Sequence, residues 1–189
     1  MVAIVAYIRV IDEDEASGLL FDTYDEIQRS RGRVSNVLRV QSLDPKGLKV
    51  HLEMYNTLVY GKGPLSRRER ELIAVVVSAK NACEYCLIHH SEALNKYVKD
   101  DKWVKGLAND PEKFALEGRE ANLRAYALGL TTAPGENRKA AVQALRKAGF
   151  DDEAILQATE ITSYFNFVNR LATGLGADLE AEGDRDYNY

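Results

Sequence analysis

Glu71-Leu-Ile-Ala-Val-Val-Val-Ser-Ala-Lys-Asn81-Ala-Cys83-Glu-Tyr-Cys86-Leu-Ile-His89-His90 is the stretch on which the reading of this 189-residue chain turns. Just before it, Ser66 with Glu69 three residues on forms a capping box, the signature of a helix start. The run Leu72 to Val77 is apolar on nearly every side, and a helix of that kind belongs in the middle of a bundle. Asn81 breaks it, and Cys83 to Val98 carries the next helix. Two helices joined by so short a connection form an antiparallel hairpin.

The rest of the chain reads with the same period. Asp12 caps a helix to about Ser30 whose apolar stripe is Ala16, Leu19, Leu20, Tyr24 and Ile27, and Gly32 ends it. Val34 to Gln41 is a short helix. Asp44-Pro45 opens another, which carries Leu48, Leu52, Tyr55 and Leu58 to Gly61. Trp103 falls in a short charged segment ahead of a helix start at Asp110-Pro111. Glu117 to Leu130 and Asn137 to Lys147 are amphipathic, and Asp151 or Asp152 caps a long helix to Gly174. All four prolines fall at helix starts or in turns, and no segment alternates as strands do. The expectation is an all-α fold, one helical domain over 1–189 with an extended segment at 1–10 and a flexible tail at 181–189.

Composition narrows the function. Twenty-five Lys and Arg against 29 Asp and Glu give a net charge of −4, which disfavours a nucleic-acid partner held by phosphate neutralisation. The opening Met1 to Ile8 has neither the basic region nor the cleavage pattern of a secretory signal. The apolar run at 72–77 is far short of the ~20 residues a membrane span needs. A cytoplasmic protein with no membrane partner is expected. Its two cysteines, three residues apart, then point to redox or metal chemistry.

Both cysteines and two of the three histidines lie within eight residues. At about 100° per residue, Cys83, Cys86 and His90 share one helix face, and His89 turns about 60° to the other side. Glu71 stands ten residues before Asn81 and His90 nine after it, which brings the two level across the hairpin. A carboxylate there orients the imidazole, and the imidazole can take a thiol proton. A Cys-x-x-Cys pair at a helix N-terminus has its thiol pKa lowered by the dipole, with a resolving cysteine one turn away. The dipole favours Cys83 as nucleophile, whereas proximity to His90 favours Cys86. Two other readings compete: a pair of small core residues, and a zinc site of Cys83, Cys86 and His90 or His89. Zinc lacks a second ligand pair, since the remaining histidine is His51. Leu87 occupies the place where covalent haem attachment needs a histidine.

Glu71, Cys83, Cys86 and His90, with Tyr85 between the cysteines, resemble the Glu-x11-Cys-x2-Cys-x3-His signature of the AhpD-like alkylhydroperoxidases of the carboxymuconolactone decarboxylase superfamily. Ile161 to Ala172 resembles the C-terminal helix of the peroxidase-related branch, so the likeness covers about residues 10 to 180. It implies an AhpD-like helical bundle, assembled as a homo-oligomer (trimer or hexamer), that reduces hydroperoxides with no cofactor and no metal. Cys86 would be the peroxidatic thiol, Cys83 the resolving one, His90 the proton shuttle and Glu71 its anchor. The reductant would be a thiol, in founding members a lipoylated protein. The alternatives are a non-enzymatic redox-sensing or helical interaction module, and a zinc-binding protein.

Outside this stretch, Arg67, Arg68 and Arg70 read as a solvated face, or one of them as guarding a subunit interface, His51 as structural or exposed, and Trp103 as a packing anchor. Asn166, Asn169 and Arg170 are unusual on an apolar helix and read as a hydrogen-bonded packing or interface group, or as lining of the site entrance.

Overall fold

The structure, a computed structural model, describes residues 6–180. Among these are nine α-helices, one short π-helical segment and no strand, so the fold is all-α. The expected tail at 181–189 and the first half of the extended segment at 1–10 lie outside the described residues. The chain divides into two compact units: one takes in the residues up to Met54 and from Leu171 on, the other is Tyr55–Arg170.

The first unit holds α1 (Leu19–Arg31), α2 (Asn36–Arg39) and most of α3 (Pro45–Tyr55). Leu20, Tyr24, Ile27, Val34, Leu38, Leu48 and Leu52 form its core, with Ile11, Ala16 and Val37 packed against it. The helix expected from Asp12 begins only at Leu19. Gly18, at φ 56°, breaks the path, and residues 13–15 form a turn instead. Gly32 ends α1 in the left-handed conformation, as its position predicts. The Tyr24 hydroxyl donates to the Ile11 carbonyl at 3.1 Å.

The second unit is built around α4 (Arg67–Lys80), whose residues Leu72 to Val77 are all fully buried. Burying each of these larger side chains stabilises the fold by about 1.5–3 kcal/mol. Ser66 and Glu69 close the capping box in both directions. The helix α4 packs on α5 (Glu84–Val98), α6 (Asp101–Asn109) and α7 (Gly118–Thr132), and α7 on α8 (Arg138–Lys147). Most of α9 (Asp152–Leu175) completes the unit, with the Asp151 carboxylate accepting from the Ala154 N–H at its start.

Two readings of this unit change. The segment around Trp103 is itself a helix, because the Asp100 carboxylate accepts from the N–H groups of Lys102 and Trp103, and Val104 and Leu107 are buried. Asp110-Pro111 opens no helix, only a turn that lays Phe114 edge-on against Trp103 with ring centroids 5.1 Å apart. Beyond Tyr55 the chain widens into the π-helical segment Asn56–Tyr60, closed by the Gly61 N–H on the carbonyls of Asn56 and Thr57.

Candidate active site

The hairpin connection fixes the geometry. Asn81 ends α4, Ala82 takes a left-handed φ of 52°, and the Cys83 N–H donates to the Ser78 carbonyl at 3.0 Å. A non-glycine residue in that conformation costs about 1 kcal/mol. It is held by the Asn81 side chain, whose amide donates to the Oδ1 atoms of Asn166 and Asn169 at 3.1 and 3.0 Å. Cys83 thereby sits at the N-cap of α5, and Cys86 one turn inside it.

Across the hairpin, His90 Nδ1 lies 2.7 Å from Glu71 Oε2. The structure thus brings together the carboxylate and imidazole that counting from Asn81 places level. Glu71 is fully buried, and the His90 side chain is 12% exposed. The Phe165 ring meets the His90 ring edge-on at 4.6 Å. His89, on the other side of the helix, is buried with its ring 4.6 Å from that of Tyr85.

Both cysteines are buried thiols. A hydrogen bond with Cys83 first, and burial second, push the Cys86 thiol well above its ordinary range, while a hydrogen bond from Asn169 acts the other way. Asn169 is almost fully buried on α9, where its amide donates to Ser78 Oγ at 3.1 Å. The asparagines of α9 therefore form a hydrogen-bonded group that ties Cys86 to the end of α4. Burial alone would raise the Glu71 carboxyl. His90 and then Arg67 outweigh it and hold Glu71 below the usual carboxylate range.

Arg67 is the site residue that sequence reasoning missed. Its Nε donates to Glu71 Oε1 at 2.8 Å, its Nη1 to the Val59 carbonyl at 3.0 Å, and its guanidinium lies 3.6 Å over the Tyr60 ring. Burial opposes its charge, but Glu71 and Tyr60 outweigh that and hold the charge more firmly than water does. The expectation of a solvated arginine face fails here and at Arg70. Arg70 is only 5% exposed and donates to the carbonyls of Val59, Gly61 and Leu65. The π-helical segment and the loop after it leave those carbonyls without helical partners, and the arginines supply donors. Arg68 pairs with Glu120 through two hydrogen bonds. The i, i+4 spacing of Arg67 and Glu71 was the available signal.

Among the described residues, no three His, Cys, Asp or Glu side chains converge so as to hold a metal ion. No helix among them is long and apolar enough to cross a membrane.

Comparison with known proteins places this geometry. Residues 7–148 match the family model of the PA26 p53-induced protein (sestrin). Sestrin-2 of Mus musculus is 27% identical over 162 residues, 85% of this chain. The chain spans about a third of the length of that curated relative, 32%. Among solved structures, an alkylhydroperoxidase AhpD core, an uncharacterized peroxidase-related protein from Ralstonia eutropha JMP134, superposes with a TM-score of 0.84 at 28% identity, covering 94% of this chain and 93% of its own. An uncharacterized peroxidase-related protein from Silicibacter sp. TM1040 gives 0.82 at 30% identity with coverage of 94% and 93%. Family model and structural likeness agree: the chain belongs to the sestrin (PA26 p53-induced protein) family, on the peroxidase-related branch of the AhpD-like superfamily.

Proposed function

We propose that the protein is a thiol-dependent hydroperoxide reductase in which Cys86 attacks and Cys83 resolves. The observation that carries this reading is the 2.7 Å bond between His90 Nδ1 and Glu71 Oε2 on a hairpin that sets Cys86 one turn from His90. A thiol pushed up as Cys86 is needs a base, and His90 has its Nε2 available for that role once Nδ1–H is directed at Glu71. In the proposed cycle His90 takes the Cys86 proton, and the thiolate attacks the terminal oxygen of the hydroperoxide. The O–O bond breaks, and the departing alkoxide takes the proton from His90 and leaves as the alcohol. Cys86 is then a sulfenic acid. The Cys83 sulfur displaces its hydroxyl as water, giving a Cys83–Cys86 disulfide, and an external dithiol restores both thiols. A lipoylated protein fits as that dithiol, and a cytoplasmic homo-oligomer, trimer or hexamer, as the working form.

A second reading, a redox-sensing module that oxidises once, is favoured by the burial of both thiols, 2% and 3% exposed. The deciding experiment follows cumene hydroperoxide consumption by the reduced protein with excess dihydrolipoamide. The reductase consumes many equivalents of peroxide per protein. One equivalent followed by a stop replaces it with the sensor.

A further inference from the structure

We infer that Arg67 is a positioning residue that keeps His90 a neutral base by neutralising Glu71, an inference that rests on the proposed reductase for its purpose but not for its test. A fully buried carboxylate demands a cation nearby. Two groups face it: His90 Nδ1 on Oε2 at 2.7 Å, and Arg67 on Oε1, through Nε at 2.8 Å and Nη2 at 2.6 Å. Arg67 is fastened independently of the carboxylate, by the Val59 carbonyl and the face of Tyr60. It supplies one full positive charge, so the Arg67–Glu71 pair is neutral without help from the imidazole.

His90 is then free to carry a single proton, on Nδ1, donated to Glu71, with Nε2 bare. The Tyr55, Tyr60 and Phe165 rings near these groups add no charge at neutral pH. Without Arg67, His90 is the one cationic partner left to the Glu71 carboxylate among the groups facing it here, and the carboxylate draws a second proton onto the imidazole. An imidazolium cannot accept a thiol proton. The Val59 carbonyl anchor also gives the π-helical segment a part in this arrangement, since its altered hydrogen bonding leaves that carbonyl open to arginine donors.

The test reads the protonation of His90 directly. With three histidines in the chain, imidazole 15N–1H correlation spectra of the reduced protein at pH 7 are assigned by single His→Gln substitutions. The wild type is expected to show His90 protonated on Nδ1 alone. Arg67→Gln should show both nitrogens protonated, and Arg67→Lys should return the single-proton spectrum. Peroxide reduction should fall at least about tenfold in Arg67→Gln and recover most of that loss in Arg67→Lys. A doubly protonated His90 in the wild type overturns the inference without recourse to any variant. So does an Arg67→Gln spectrum identical to wild type, whatever its activity, since that leaves Arg67 a structural side chain only. Absence of turnover in the wild type sinks the reductase reading alone, because the spectra still decide the role of Arg67.

Discussion

Three influences set the behaviour of Cys86, and they pull in different directions. The hydrogen bond with Cys83 and burial keep the proton on sulfur, while Asn169 favours the thiolate. Removing Cys83 therefore does two things at once. It takes away the strongest influence holding the Cys86 proton, and it removes the sulfur that would resolve a sulfenic acid. In Cys83→Ala, Cys86 should be alkylated by iodoacetamide at lower pH than in wild type, as followed by mass spectrometry across a pH series. The same variant should accumulate, after one equivalent of peroxide, a sulfenic acid on Cys86 that dimedone traps. Cys86→Ala should give no dimedone adduct. An adduct on Cys83 in Cys86→Ala, with none on Cys86 in Cys83→Ala, reverses the order of attack and makes the N-cap cysteine the nucleophile.

At the scale of elements, the π-helical segment Asn56–Tyr60 is what links half-buried Arg67 and buried Arg70 to the candidate site. Gly61 closes it, and a Cβ there would run into the Thr57 carbonyl. Its φ of −58° suits any residue, so close approach alone asks for glycine. Gly61→Ala should cost about 1–3 kcal/mol in urea unfolding. Gly135→Ala, where the added carbon meets open space, should stay within about 0.5 kcal/mol. Equal midpoints for the two variants would show that the segment yields without strain. What the sequence made legible divides along the same line. The capping box at Ser66, the stop at Gly32 and the register of Glu71 against His90 depend on neighbours close in the chain or on residue counts across one hairpin. They are readable from spacing. The start of α1 depends on how Gly18 turns. The helix around Trp103 needs the Asp100 cap and a face buried against α4. The inward placement of Arg67 and Arg70 depends on carbonyls freed at Val59 and Gly61. None of these leaves a periodic trace, so charged residues at helical spacing look like a solvated face until their partners are known.

For the whole molecule, stability against pH separates into windows assignable to particular buried groups. Tyr24, pushed up to about 12 chiefly by burial, keeps its proton when folded, so its contribution is lost only as pH rises above 10. Glu71 is held down when folded, so its contribution is present above 4.5 and fades as pH falls below that. Between these lies His51, 3% exposed on α3, with its Nδ1 within hydrogen-bond reach of the Gln41 side chain. Burial first, and Arg31 second, lower its pKa from 6.5 to about 4. The unfolded chain therefore binds a proton at His51 that the folded one refuses, and stability falls as pH drops from 6.5 toward 4, then levels off. Linkage over those two values gives a loss of about 2 kcal/mol at pH 5 and about 3 kcal/mol at pH 4. Urea unfolding of wild type and His51→Gln at pH 7.5, 6, 5 and 4.5 checks this. Glutamine carries no titrating proton and keeps a polar partner for Gln41. The variant is expected to start less stable at pH 7.5 and to lose about 2 kcal/mol less than wild type on the way to pH 5. Parallel curves for the two proteins would mean that His51 accepts its proton in the folded state, and that the acid sensitivity belongs to other groups.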